Sequence, residues 1–350
     1  MIDNDVVLGF DDVVLVPQYS DIESRKSINT SVSLINEIYK KHLSIPIISS
    51  PMSTVTETNM CNMMSKVGGL GIIHRYNTID EQTKLLSCVV NKDHRAAAIG
   101  VTGDYKERLD ELVKNKLKIV CLDIAHGDHI IMTKAIEYVK NKYPTLFIIA
   151  GNVATKHGYA RLHQAGAHAI RTSIGSGSIC TTRIQTGHGI PTFHAVLDCF
   201  EEKKNLINEG VENPPLIIAD GGIKNSGDIV KSLAAGADLV ILGSMLSGTK
   251  ETPGEITKDT LGREIKQYNG MASKVAQKAW KGSYSSIEGV PSNVLYKGSV
   301  ESVIKEIMVN VRSGMSYSGA KNLEELREYA IFKRQTTQSH QEGQAHINRK

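Results

Sequence analysis

The chain has 350 residues, 41% hydrophobic and 22% charged, enough to bury a core of one large α/β domain or two ordinary ones. Its 41 basic and 37 acidic residues are dispersed and sum to a formal charge of +4, which argues against a nucleic-acid-binding arm or a membrane-directed patch. Five cysteines without a C-x-x-C pair argue against a disulfide framework or structural zinc and point to a reducing cytoplasm, and no apolar run approaches the roughly 18 residues of a membrane span.

After an acidic start, "MIDNDVVLGFDD", which lacks the basic character of a signal peptide, short apolar runs rich in β-branched residues recur. They are "IPIIS" (45–49), "LGIIH" (70–74), "AAAIGV" (96–101), "IVCLDI" (119–124), "LFIIAG" (146–151), "AHAIRT" (167–172), "PLIIAD" (215–220) and "ADLVILG" (237–243). Between them, segments such as "DYKERLDELVKN" and "HIIMTKAIEYVKNKY" carry apolar residues three or four apart. Eight strand-helix units predict a (β/α)8 TIM barrel of the α/β class, with a doubly wound open sheet as the rival.

A barrel gathers its chemistry on the loops after its strands. Here these loops read "SSPMST", "HRYN", "TGD", "AHGD", "GNVAT", "SIGSGSICTTR", "DGGI" and "GSML", rich in Gly, Ser, Thr, Asp and His. Asp220-Gly221-Gly222 and Gly243-Ser244 follow strands seven and eight, where backbone N–H groups approach a phosphate in such barrels. Residues 251–298 are too long for an ordinary connection and lie on the active-site side, as a lid would. The polar stretch from about 333, "KRQTTQSHQEGQAHINRK", is expected to be disordered or held by another subunit.

Cys180 follows a glycine-rich turn on the catalytic rim. Cys61, Cys88, Cys121 and Cys199 lie in apolar patterns that suit small hydrophobes, so Cys180 is the candidate nucleophile, with Arg183 and loop N–H groups to favour the thiolate. His188 reads as a loop residue, since nothing at helical spacing offers a metal partner.

The motifs "LGFDDVVLVP", "SSPMSTVTE", "GGLGIIHR", "LDIAHGD", "AGNVAT", "GSGSICTTR", "IADGGI", "GSML", "YNGMAS", "EGV" and "GMSYSGAKNLEELR" together resemble the IMP dehydrogenase and GMP reductase family over nearly the whole chain. The resemblance implies a thiol that attacks C2 of a purine 5′-nucleotide, with a nicotinamide hydride exchanged at that carbon. It implies Cys180, Thr182 and Glu288 as catalytic residues. Asp220 would hold the ribose; Gly221, Gly222, Gly243, Ser244 and Tyr268 the phosphate; and Ser50, Met52, Ser178, Gly270, Met271, Ala272, Ser286 and Gly289 would complete the nucleotide pocket. The dinucleotide would lie near Asp123, Ile124, Ala125, Asn152, Ile174 and Gly175, with Ser24, Arg25 and Arg75 as contacts from another subunit. A K+ ion would sit on Gly175, Gly177, Cys180 and Arg183, completed by Glu342, Gly343 and Gln344 across a homotetramer.

The resemblance also separates two reactions. No regulatory module interrupts "NTIDEQTKLLSCVVNKDHRAAAIGV", so residues 1–350 read as a single catalytic barrel domain. Between Met271 and Glu288 stand Lys281 and Tyr284 but no arginine, so the Arg-Tyr pair that activates hydrolytic water in dehydrogenases is incomplete. "CTTRIQTG" and "KGSYSSIEG" resemble the reductase, which implies GMP and NADPH as substrates. "TPGE", "SGMSYSGAKNLEELRE" and "EGQAH" look more like the dehydrogenase, which implies IMP and NAD. Ser53, Thr172-Ser173 and His188 depart from the family pattern. A flavin-dependent barrel with FMN on the "DGGI" phosphate site and a silent nucleotide-binding barrel are the remaining alternatives.

Overall fold

The computed structural model describes residues 6–284 and 286–345. Eight parallel strands form one sheet: β1 (Ile47–Ser49), β2 (Leu70–Gly71), β3 (Ala96–Ile99), β4 (Ile119–Asp123), β5 (Phe147–Val153), β6 (Ala169–Thr172), β7 (Leu216–Asp220) and β8 (Leu239–Leu242). Their spatial order is β2-β1-β8-β7-β6-β5-β4-β3, and a parallel bridge between Ile73 and Ala97 joins the ends. That closure makes a (β/α)8 barrel and removes the open sheet. All eight expected strands are present, most shorter than their apolar runs because the flanking residues turn into loops.

Most strands are apolar on both faces because the barrel interior and the helical shell both bury them; β3 and β8 are apolar and buried at every position, and β6 is equally buried but carries Arg171 and Thr172. Helices follow by the same logic. In Ile130–Lys142, Met132, Ala135, Ile136 and Val139 form one buried stripe. In Ile79–Ser87, Thr78 and Glu81 make a reciprocal capping box that satisfies N-terminal N–H groups.

A hairpin of Val32–Ile35 and Lys40–Leu43 covers the N-terminal mouth, an element that sequence reading missed. Its Tyr39 ring lies 6.0 Å from Phe147 at the start of β5, and Asn36 donates to the Leu146 carbonyl. With that end closed, ligand access is left to the opposite rim.

Two expectations are corrected. Phe332–Arg334 is a strand paired with Val13–Leu15, and Thr337–Glu342 is a helix against Phe10–Asp12 of the same chain. Phe332 anchors this segment edge-on to Phe193 at 4.9 Å, and Gln335 bonds the Asp11 and Val13 carbonyls. The polar sequence therefore has an apolar foothold just before it, and the described part of the tail is ordered on its own chain. Residues 346–350 lie outside the described residues. Cys88 is exposed at a helix C-terminus rather than buried like Cys61, Cys121 and Cys199.

Candidate active site

A cleft of about 330 Å³ opens at the C-terminal ends of the strands. From the barrel it takes Ser50, Met52, Arg75, Tyr76, Asp123, Ile124, Ala125, Asn152, Arg171, Ile174, Gly175, Gly177, Cys180, Thr182, Asp220 and Gly221; residues 268–289 add Tyr268, Gly270, Met271, Ala272, Glu288 and Gly289. A contiguous recess of about 70 Å³ is lined by Ser178, Gly221, Gly222, Gly243, Ser244 and Tyr268. Gly221 and Gly222 have φ of +99° and +73°, and a Cβ at Gly221 would stand 3.2 Å from the Gly177 nitrogen. Glycine thus lets the β7 turn pass tightly under the loop that carries the thiol.

The lid is a built subdomain. Thr257–Lys258, Glu264–Asn269 and Pro291–Leu295 form an antiparallel sheet, with helix Lys274–Lys281 inserted between the last two strands. It grips the loop after β6 through the backbone: Thr181 N–H donates to the Glu288 carbonyl at 2.8 Å and Val290 N–H to the Ile179 carbonyl at 3.0 Å. Its helix also docks by a stack of Trp280 on Tyr76, 4.3 Å between centroids, with the Arg75 guanidinium over both rings.

Within the loop, Cys180 N–H closes a turn onto the Gly177 carbonyl at 3.0 Å, and helix Thr182–Thr186 follows. Cys180 Sγ lies 3.1 Å from Thr182 Oγ1. Thr182 Oγ1 donates to Glu288 Oε2 at 2.8 Å, and Ser286 Oγ donates to Glu288 Oε1 at 2.8 Å. A half-buried thiol, a hydroxyl and a carboxylate are thus joined in one chain of contacts able to carry a proton.

A second chain, unread in the sequence, runs across the barrel. Arg171 on β6 donates Nε and Nη2 to Asp220 Oδ2 at 3.0 and 2.7 Å and Nη1 to Asp123 Oδ1. Arg75 Nε donates to Asp123 Oδ2 at 3.1 Å. Burial alone would raise the Asp123 carboxyl, but Arg171 and then Arg75 outweigh it and hold it below the ordinary carboxylate range. A charged residue within the "AHAIRT" strand was the available signal, since a buried guanidinium needs partners.

The other expected residues take these places. Arg75 lines the cleft of its own chain, because the turn after β2 points it at Asp123, so no second subunit is required to bring it there. Ser24 caps the short helical turn Arg25–Ser27 and Arg25 lies over Tyr317, both away from the cleft of their own chain, so the expected contact with another subunit's cleft stays a proposal. Ser286 is exposed and orients Glu288 rather than lining the nucleotide pocket. Arg183 Nη2 donates to Ser176 Oγ, and its carbonyl accepts from Gly187, so it braces the loop. Gly343 and Gln344 N–H groups bond locally to Ser339 and Gln341 carbonyls. Asn152 donates to Asp220 Oδ2 at 2.9 Å and to the Ser173 carbonyl. His188 is exposed and bonded to Thr186, a loop residue as expected. Among the described residues no group of three His, Cys, Asp or Glu is placed to hold a metal, and no helix is long and apolar enough to cross a membrane.

Comparison with known proteins agrees with this fold. A family model described as an IMP dehydrogenase / GMP reductase domain matches residues 7–346. Inosine-5'-monophosphate dehydrogenase of Bacillus subtilis is 31% identical over 476 aligned positions, covering 97% of this chain and 95% of the relative. GMP reductase 2 of Bos taurus is 35% identical over 347 positions, covering 96% and 97%. The first alignment is longer than this chain and bridges a stretch that it lacks; the second is nearly collinear with it. A solved cysteine-to-alanine variant of GMP reductase from Trypanosoma brucei, in complex with guanosine 5'-monophosphate, superposes with a TM-score of 0.88 at 28% identity over 98% of each chain.

Proposed function

The chain belongs to the IMP dehydrogenase and GMP reductase family, and from this premise we propose that it is an oxidoreductase converting GMP and NADPH to IMP, ammonia and NADP+. The observation that carries the reading is the Cys180–Thr182–Glu288 chain of contacts. The Cys180 thiol gives up its proton by way of Thr182 to Glu288 as its sulfur adds to C2 of the purine. A proton passed from Glu288 by way of Thr182 to the 2-amino group lets it leave as ammonia, with C2 still bonded to sulfur. Hydride delivered to C2 then allows the C–S bond to break, returning the electron pair to Cys180 and releasing IMP.

The small recess suits the 5′-phosphate, and Asp220, which lines both it and the cleft, suits the ribose. The limb from Cys180 toward Asp123, Ile124, Ala125, Asn152 and Ile174 combines apolar walls with a carboxylate and fits a nicotinamide ring and its ribose. The dinucleotide bound there supplies the hydride. The family resemblance implies a K+ ion on the carbonyls of Gly175, Gly177 and Cys180, with Glu342, Gly343 and Gln344 of a neighbouring subunit completing its ligands in a homotetramer.

The dehydrogenase reading, IMP to XMP with NAD, is favoured by dehydrogenase relatives of comparable identity and by the "EGQAH" segment. It lacks an arginine between Met271 and Glu288. Two assays at 340 nm decide. Absorbance falling with GMP and NADPH supports the reductase; absorbance rising with IMP and NAD, while the first mixture stays inert, establishes the dehydrogenase instead.

A further inference from the structure

We infer that Arg171 is a positioning residue that fixes which oxygen Asp220 presents to the ligand, and thereby sets a preference for ribonucleotides over 2′-deoxyribonucleotides. The inference rests on the purine-nucleotide reading of the cleft. A guanidinium facing a carboxylate ordinarily engages both oxygens with its fork. Here Nε and Nη2 both converge on Oδ2 of Asp220, and the Asn152 amide adds a third donor to the same atom. Oδ1 has no partner among the described residues, yet it is not a sealed, unsatisfied atom, and Asp220 lines both the cleft and the recess. One oxygen is saturated by protein and the other is offered as an acceptor.

The remaining nitrogen fixes the fork in place. Nη1 reaches Asp123 Oδ1, so Arg171 is held from both sides, and Arg75 closes the far end on Asp123 Oδ2. Two guanidiniums and two carboxylates alternate with no net charge. An ammonium, a point charge on a flexible stem, cannot hold both carboxylates in this way. A hydroxyl donating to a carboxylate oxygen that faces the cleft is a strong hydrogen bond, and a ligand lacking that hydroxyl leaves the acceptor unpaired.

Calorimetric titration of wild-type protein, Arg171→Lys and Arg171→Gln with GMP and with 2′-deoxy-GMP tests this. The wild type is expected to prefer GMP by at least about tenfold. Arg171→Lys, which keeps the charge, is expected to stay folded by thermal melting and to fall to within about threefold between the two ligands; Arg171→Gln is expected to do the same where it folds. A folded Arg171→Lys protein that binds both ligands more weakly but keeps the wild-type ratio overturns the inference and makes Arg171 merely structural. Wild-type protein that binds GMP without a ribose preference also overturns it, leaving the purine-nucleotide reading intact. Wild-type protein that binds neither GMP nor IMP overturns the reading and the inference together.

Discussion

Thr182 Oγ1 donates to Glu288 Oε2 at 2.8 Å across a separation of 106 residues. The contact exists because the lid strand that follows Glu288 is stitched to the loop after β6 by backbone bonds on both sides of the thiol. The proposed acid–base group and the proposed nucleophile therefore come from different parts of the barrel rim and are joined by the seated lid.

If that pair moves the proton, Glu288→Gln keeps the shape but loses the titratable group. It is expected to lower kcat at least about 100-fold with the nucleotide KM within about threefold. Thr182→Val is expected to behave alike and Thr182→Ser to stay within about tenfold. Steady-state assays at saturating dinucleotide measure this, and Glu288→Gln within tenfold of wild type removes the carboxylate from the mechanism.

Cys180→Ala is expected to abolish turnover while nucleotide affinity stays within about tenfold, roughly 1.4 kcal/mol, because the recess and Asp220 are untouched. Mass spectrometry of quenched wild-type enzyme is expected to find a purine adduct on Cys180 and none on Cys88, the other cysteine that is not buried. Measurable turnover in the alanine variant contradicts a nucleophilic thiol.

The barrel was legible because its signal is repeated: eight apolar runs alternate with helical spacing, and an error in one leaves seven. Cys180 and the glycine turns were legible because their chemistry sits in contiguous residues. The Arg171 network was not, since Asp123, Arg171 and Asp220 lie on three strands and only closure of the sheet brings them together. Arg75 was misplaced for a related reason: nothing in "HRYN" says which subunit's cleft the turn will face. The tail was read as unable to fold on its own chain because its polar composition hid the anchoring role of Phe332 immediately before it.

Trp280 is the sole tryptophan of the sequence and reports on lid docking through its stack on Tyr76. Such a ring pair contributes about 0.5–1.5 kcal/mol, so Tyr76→Ala is expected to lower kcat/KM by roughly two- to twelvefold. Acrylamide quenching of Trp280 should rise and its emission shift to the red. Quenching equal to wild type shows that the lid seats without the stack.

His94 is buried, and neither ring nitrogen has a hydrogen-bond partner among the described residues. Burial, and after it the charge of Lys41, pushes its pKa down from 6.5 to about 4 against the weaker pull of Asp93. The unfolded chain then binds more protons than the folded one between these values. Stability from this group is complete above about pH 6.5 and is lost as pH falls toward 4, by roughly 3 kcal/mol. Urea midpoints at pH 7.5 and pH 5 are expected to fall less in His94→Leu than in wild type; equal declines refute the assignment.

The tail supplies the last test, because its proposed cation role needs a second subunit. Glu342 ends, and Gly343 and Gln344 follow, a helix seated on the chain's own Phe10–Asp12 segment, where His340 Nε2 stands 3.9 Å from Asp11 Oδ1, so the anchor is local and the three residues are exposed beyond it. A loop cation needs several oxygen ligands to replace its water. Deleting residues 338–350, of which 346–350 lie outside the described residues, is expected to lower the rate and blunt stimulation by K+ while the thermal midpoint moves little, because the Phe332–Arg334 strand is retained. Sedimentation of the intact protein is expected to give a tetramer. A truncated enzyme with the wild-type rate and the wild-type K+ response shows that the tail's ordered half serves only to cover its own N-terminal segment.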